Sequence, residues 1–403
     1  MANSRRIDEL MNSTLANRLS FPRFASLSIL APLGVCAYVF GMAVPFKWDI
    51  PLMVLAVTGV LAFLVQRRDG ATYAAPFLPV LVFLVATGVS LLASEDIGRS
   101  LRLSTPLLPA LLVFFLIADR FQGARHTRVL YLTFSAAGLS LALAVLWTAW
   151  QKAWVVPHGW QSWMSEVGSP IFVVANDITF LAVIAPLSLV LFYSESQPSV
   201  RVLAALSILA SAAAVCVIQS RVAIITLVAA ITVVAALLRP RLAVASGAVV
   251  LALVLLVDGL LGFPLVAKFG QVGDGRIPIW LEAWSMFVAN PLLGHGPHTF
   301  VYTSPDTITV TWAHNLYLEA LAEQGLVGLA ALGLLLVSGI RTAWKVQRSA
   351  SHESRILAVG ALGGLVGFCL AGLFELSFLR QWVLIVLFSL LGVIAQLGST
   401  NRG

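Results

Sequence analysis

The chain has 403 residues, of which 59% are hydrophobic and only 11% charged. Soluble domains carry about a quarter charged residues, so the composition excludes a soluble globular protein. The net charge of +7 does not signal nucleic acid, because most basic residues fall in short loops between apolar runs, where membrane topology accounts for them.

Apolar runs of about 20 residues recur along the whole chain, which predicts an all-α, polytopic membrane protein. A β-barrel is disfavoured: barrel strands alternate apolar and polar residues over about ten positions, whereas these runs are continuously rich in Leu, Ala and Val. Residues 1–24 carry Arg5, Arg6, Arg18 and Arg23 and read as a cytoplasmic tail, with Asp8 to Leu19 suited to a short amphipathic surface helix. The first apolar run starts near Ala25 and is long enough to span, so no cleavable signal peptide is expected. Twelve spans are predicted, at 25–45, 50–66, 74–93, 104–118, 129–150, 170–193, 201–218, 220–238, 241–262, 313–340, 355–373 and 380–398. Spans one to nine fill 25–262, a polar segment occupies 263–312, spans ten to twelve fill 313–398, and 399–403 form a short C-terminus. Cys36, Cys216 and Cys369 all lie inside apolar runs and read as small buried hydrophobes.

Sidedness follows from Lys and Arg. Twelve spans put both termini on one side, and 17 of the 25 basic residues fall there. That side is cytoplasmic by the positive-inside rule. The 263–312 segment then faces the periplasm, and the protein is a multi-pass protein of the bacterial inner membrane. The eight outward basic residues are Lys47, Arg99, Arg102, Lys152, Arg221, Lys268, Arg276 and Arg380. Topology does not account for them, so they are candidates for function. The 151–169 loop adds Trp154, His158, Trp160 and Trp163, the tryptophans as interfacial anchors.

In the long segment, Gly273-Asp-Gly-Arg276-Ile-Pro opens a helical pattern from Ile279 to Ala289, with Trp280, Trp284 and Phe287 on one face. Asn290-Pro291 closes it. This predicts a helix along the membrane surface with Arg276 at its entrance. An arginine there can grip a phosphate in a bidentate fashion beside the helix N-terminal N–H groups; the plainer alternative is a surface salt bridge to Asp274. Arg221 sits in the shortest outward loop, at headgroup or diphosphate level, where a lipid anchor is the alternative. His314 stands where a further helix begins, and a neutral imidazole can accept a proton from a sugar hydroxyl; a capping or packing role is the alternative. Glu319 and Glu323, one turn apart in the next span, need partners. Neither the histidines nor the cysteines show metal-ligand spacing, so no metal and no cofactor are expected. Asn176, Asp177, Lys152, Trp280, His298 and Arg380 lie on the same outward side and are weaker candidates for binding sugar or diphosphate.

His314-Asn315, nine residues, Gly325, two residues and Gly328 resemble the His-(Asn/Ser/Gln)-x9-Gly-x2-(Gly/Thr/Tyr) motif of bacterial O-antigen ligases. The Gly-Arg276-x3-Trp280 stretch and Asn290-Pro-Leu-Leu-Gly294-His-Gly296 resemble an upstream block shared with O-antigen polymerases and protein O-oligosaccharyltransferases. The resemblance rests on about 60 residues and implies a membrane glycosyltransferase of the C-type fold. It implies inverting, metal-independent transfer of an O-antigen glycan from undecaprenyl diphosphate to a hydroxyl of lipid A–core oligosaccharide, at the periplasmic face. Carried over, Arg221 and Arg276 match the family's diphosphate arginines and His314 its histidine. Polymerase and protein-acceptor activities remain as alternatives of the same chemistry. A polyprenyl-glycan transporter is the alternative of another class, which the absence of basic residues near span centres disfavours.

Overall fold

A computed structural model describes residues 28–42, 49–65, 76–153, 174–218, 220–241, isolated positions from 245 to 256, 275–305, 308–349, 351–377 and 379–399. The side chains of residues 65, 152, 153, 174–177 and 349 also lie outside the description, as do the predicted tail helix and most of the ninth span.

The described chain is helical. In order it forms α1 (Leu30–Met42), α2 (Asp49–Val65), α3 (Phe77–Leu92), α4 (Ile97–Leu103), α5 (Leu107–Arg120), α6 (Gly123–Ala153), α7 (Val174–Ser194), α8 (Pro198–Ile218) and α9 (Arg221–Leu238). Then come α10 (Ile277–Ala289), the two-residue strands β1 (Tyr302–Thr303) and β2 (Thr309–Val310), α11 (Leu316–Ser349), α12 (His352–Gly372) and α13 (Gln381–Ser399). Six of these are long and apolar enough to cross a membrane, seven if α4 and α5, bent by 41°, count as one span. Further expected spans appear as shorter apolar helices, among them α1, α2 and α3. Side chains such as Leu64, Leu78 and Leu92 are more than 60% exposed on the outside of the bundle. Apolar surface of that extent on many helices belongs against lipid, not water. The chain is therefore an all-α, multi-pass membrane protein.

Helices α7, α12 and α13 form the interior, and nearly every residue of α13 from Trp382 to Leu397 is buried. Glycines let α12 pack closely. Gly363 meets Pro186 of α7 and Val234 of α9, and Gly367 meets Ala230 and Thr226. Small residues at such contacts replace the hydrophobic drive that lipid removes. The register also shows that α9 and α12 run antiparallel, which brings Arg221 level with the C-terminal end of α12.

The most constrained point is inside α11. Gly325 adopts φ 64°, ψ −162°, and the helix breaks there. Four ladder groups lose their partners, namely the N–H of Leu326 and Val327 and the carbonyls of Ala322 and Glu323. The loop that follows α10 replaces all four. Leu326 N donates to Pro291 O (2.9 Å) and Val327 N to Leu292 O (3.2 Å), while His295 N donates to Ala322 O (3.2 Å) and Gly296 N to Glu323 O (2.8 Å). Ser90 of α3 donates at 2.9 Å towards both Leu293 O and Glu323 O. This approach leaves no room for side chains: a Cβ at Gly294 would strike the Glu323–Gln324 peptide, and one at Gly325 the Leu292 carbonyl.

Gly325→Ala is expected to destabilise by on the order of 3 kcal/mol, because φ and ψ lie in a region that side chains avoid, before the clash is counted. Gly333→Ala, farther along α11 with nothing near its would-be Cβ, should be neutral or slightly stabilising. Thermal unfolding in detergent, followed by loss of monodisperse protein, checks this; equal midpoints for the two variants would contradict the packing described.

Candidate active site

α12 stops at Gly372, and its last turn closes with the N–H groups of Glu375 and Leu376 both donating to Ala371 O, at 2.9 and 3.2 Å. This delivers the Glu375 carboxylate, 5% exposed, to the end of the bundle where α10 and α11 begin. Arg276, at the N-cap of α10, donates from Nη2 to Glu375 Oε2 at 2.7 Å. His314 Nδ1 lies 3.7 Å from the other oxygen, Oε1. That separation is electrostatic contact rather than a formed hydrogen bond, and Nδ1 is buried with no hydrogen-bond partner among the described residues. One carboxylate thus stands between a guanidinium and an imidazole.

The backbone around His314 is fixed from several directions. Asn315 caps α11: its Oδ1 accepts from Tyr317 N and Leu318 N, both at 3.0 Å. Its Nδ2 donates to Leu373 O at 2.9 Å, tying the cap to the turn that carries Glu375. Trp280 Nε1 donates to Ala313 O at 3.0 Å. Glu319, buried one turn into α11, accepts from Ala313 N at 2.8 Å and from Ser377 Oγ at 2.6 Å. It therefore clamps the segment before His314 to the one after Glu375. His314 takes φ 50°, the left-handed turn between the clamped Ala313 and the capping Asn315.

A second basic group sits beside this centre. The Trp312 ring meets the His314 ring nearly edge-on at 5.5 Å, and the Arg380 guanidinium lies 4.1 Å over the same indole. Arg380 lines a cavity with Arg99, Ser377, Gln381 and His298. His298 adopts φ 60°. Burial, with Arg380 and Arg99 adding repulsion, pulls its imidazole down to about 4. Glu323 accepts from Phe300 N at 3.2 Å.

The structure thus brings Arg276 and His314 together on Glu375, with Arg380 beside Trp312 and His298 lining the same cavity as Arg380. Arg221 opens α9 behind the N-cap Ser220, level with the α12 terminus. Trp280 supports Ala313 rather than projecting freely. The paired carboxylate of Arg276 is Glu375; Asp274, expected as a possible partner, lies outside the described residues, as do the side chains of Lys152, Asn176 and Asp177. On α10 the buried stripe is Ile279 and Ala283, whereas Trp284 is half exposed and packs on Phe287. Sequence reasoning did not single out Glu375. The available signal was an acid just past the end of a predicted span, in Gly372-Leu-Phe-Glu375-Leu-Ser.

The family model described as O-antigen ligase matches residues 205–333. The match takes in Arg221, Arg276, His314 and the broken turn of α11, and stops before Glu375 and Arg380. It supports the O-antigen ligase family and a membrane enzyme of the ligase or polymerase type. No curated protein matches the chain.

His298 gives the site a pH signature. Its folded value of about 4 lies below the ordinary 6.5, so the unfolded chain binds the extra proton first. Its contribution to stability is therefore complete above pH 6.5 and is lost as pH falls from 6.5 to 4. Unfolding midpoints of wild type and His298→Gln, measured from pH 7.5 to 4, should show a shallower acid decline in the variant. Parallel curves would rule out a buried neutral imidazole.

Proposed function

We propose that this protein, whose residues 205–333 match the O-antigen ligase family, is an O-antigen ligase. It transfers an O-antigen glycan from undecaprenyl diphosphate to a hydroxyl of lipid A–core oligosaccharide, on a C-type membrane glycosyltransferase fold of twelve spans. The observation that carries the reading is the junction of Arg276, Glu375 and His314 at one end of the bundle. The distribution of Lys and Arg supports a periplasmic orientation for that end, with both termini cytoplasmic and the enzyme in the inner membrane.

The chemistry needs charge stabilisation on one side and proton removal on the other. The acceptor oxygen attacks the anomeric carbon from the face opposite the diphosphate, so the configuration inverts. The carbon–oxygen bond to phosphate breaks, and the diphosphate departs with the electron pair. A sugar diphosphate is already a good leaving group and needs no general acid. Arg276 spends one N–H on Glu375 and keeps its other donors for the diphosphate; Arg221, level with the α12 terminus, supplies the second positive charge. These two guanidinium groups do the work that a metal does in other diphosphate transferases. His314 presents Nδ1 to Glu375, which leaves Nε2 to take the hydroxyl proton. Contacts of this kind tighten when substrate is bound. Glu375 is a positioning residue: it holds the guanidinium and orients the imidazole.

Arg276→Ala and Arg221→Ala should each lower transfer by about 10²–10³, and His314→Ala by about 10²–10⁴. Glu375→Gln should cost on the order of 10² through misplacement, mainly in kcat. The measurement is O-antigen attached to lipid A–core in a ligase-null strain complemented with each variant, alongside membrane insertion. Full activity of any variant removes that residue from the mechanism. The acceptor is tested with purified protein and undecaprenyl-diphosphate glycan plus lipid A–core, a second lipid-linked glycan or a protein. Product with lipid A–core is expected; product with only the second glycan would make the protein a polymerase.

A further inference from the structure

Beyond Trp312 from the His314 imidazole lies a cavity of about 410 Å³, lined in part by Arg99, His298, Ser377, Arg380 and Gln381. Its volume falls in the range of small-ligand sites. Its walls come from three separate parts of the chain: α4, the loop after α10, and the turn into α13.

Among the described residues, neither Arg99 nor Arg380 has a carboxylate within 4.0 Å, although Glu319 and Glu375 act on Arg380, and Glu323 on Arg99, at longer range. Arg380 is held by the Trp312 ring instead, which fixes the guanidinium plane without consuming its N–H donors. The nearby acids direct their hydrogen bonds to other groups. Glu319 accepts from Ala313 N and Ser377 Oγ. Glu375 holds Arg276. Glu323 is engaged by Phe300 N. His298 Nε2 is buried and has no hydrogen-bond partner among the described residues. Gln381 donates its Nε2 to Tyr38 Oη at 3.0 Å, which holds its amide in place at the cavity wall. Two guanidinium groups in a half-enclosed, partly apolar space cost free energy unless an anion enters. A neutral sugar would leave both guanidinium groups without a direct anionic partner.

We propose that this cavity is an anion subsite for the acceptor, taking a phosphate- or carboxylate-bearing saccharide whose acidic group sits between Arg99 and Arg380. The assignment to the acceptor rests on the transferase reading above. The donor diphosphate belongs to Arg276, which is held by Glu375, whereas Arg380 is held by Trp312. The acceptor's acid then anchors its sugar next to the imidazole that removes the proton, and the two substrates' negative charges are received by different arginines.

Two measurements test this. In the first, lipid A–core and its phosphatase-treated form are titrated onto purified protein in nanodiscs without donor. Phosphate removal should weaken binding to wild type about tenfold, the effect of one charged hydrogen-bonding group. Arg99→Gln should bind both forms equally and weakly. Arg102→Gln, which removes an exposed charge from the same short helix, should behave as wild type. Undecaprenyl diphosphate should bind Arg99→Gln as tightly as wild type. Weakened undecaprenyl-diphosphate binding in Arg99→Gln, with acceptor binding intact, would assign the cavity to the donor and overturn the proposal. So would equal affinity of wild type for the two acceptor forms.

The second measurement does not depend on the acceptor's identity. Ligand-observed NMR compares glucose 6-phosphate with glucose. Arg99-dependent binding of the phosphate alone supports an anion subsite; equal binding of the two sugars overturns it. If the sugar phosphate binds in this way while wild type transfers nothing to lipid A–core, the subsite stands and the ligase reading falls.

Discussion

The arrangement depends on one constraint: a helix broken inside an apolar bundle must have its freed backbone groups paired again. A bare N–H or carbonyl in such surroundings costs several kcal/mol. The break at Gly325 exposes two donors and two acceptors, and the 291–296 loop returns two acceptors and two donors. The exchange is reciprocal, so neither segment is stable in this form without the other. It fixes the loop on α11 and, through Ser90, Ser94 and Ser100, on α3 and α4 as well. Ser100 Oγ donates to Pro297 O at 2.6 Å, immediately before His298. The position of His298, and through α4 that of Arg99, follows from how a broken helix is repaired.

The acids divide the remaining work. Glu319 is spent on structure, joining the segment before His314 to the one after Glu375. Glu375 is shared between Arg276 and His314. Glu323 lies under the repaired turn, with its carboxylate turned towards Phe300 N. Arg276 and Arg380 are thereby gathered with these acids at one end of an otherwise apolar bundle.

Much of this was legible in the sequence because it is local. The spans follow from continuous apolar runs, and the α10 boundaries follow from Arg276-Ile-Pro at its start and Asn290-Pro at its end. The capping role considered for His314 belongs to the next residue, Asn315. Arg276 and His314 stood out as polar groups that topology did not explain. What could not be read is pairing across the sequence. Glu375 is 99 residues from Arg276, and a count of Lys and Arg gives an acid no weight. The glycines of the motif were recognisable as a pattern, but their cause is the close approach of two distant backbones. The aromatic face of α10 drew attention by size, whereas the buried stripe is the smaller Ile279 and Ala283, because the space against α11 is narrow.

The Glu375 junction also gives the proposed reaction an order. Glu375 Oε2 is engaged by Arg276 and Oε1 stands 3.7 Å from the imidazole, too far for a strong hydrogen bond. A diphosphate arriving at Arg276 competes for the same guanidinium and weakens its hold on the carboxylate. In the proposed reaction the carboxylate can then turn to accept from His314 Nδ1–H, which fixes the tautomer that leaves Nε2 free for the acceptor. An arginine–carboxylate pair that looks like a simple structural salt bridge is then the link between the two halves of the proposed reaction.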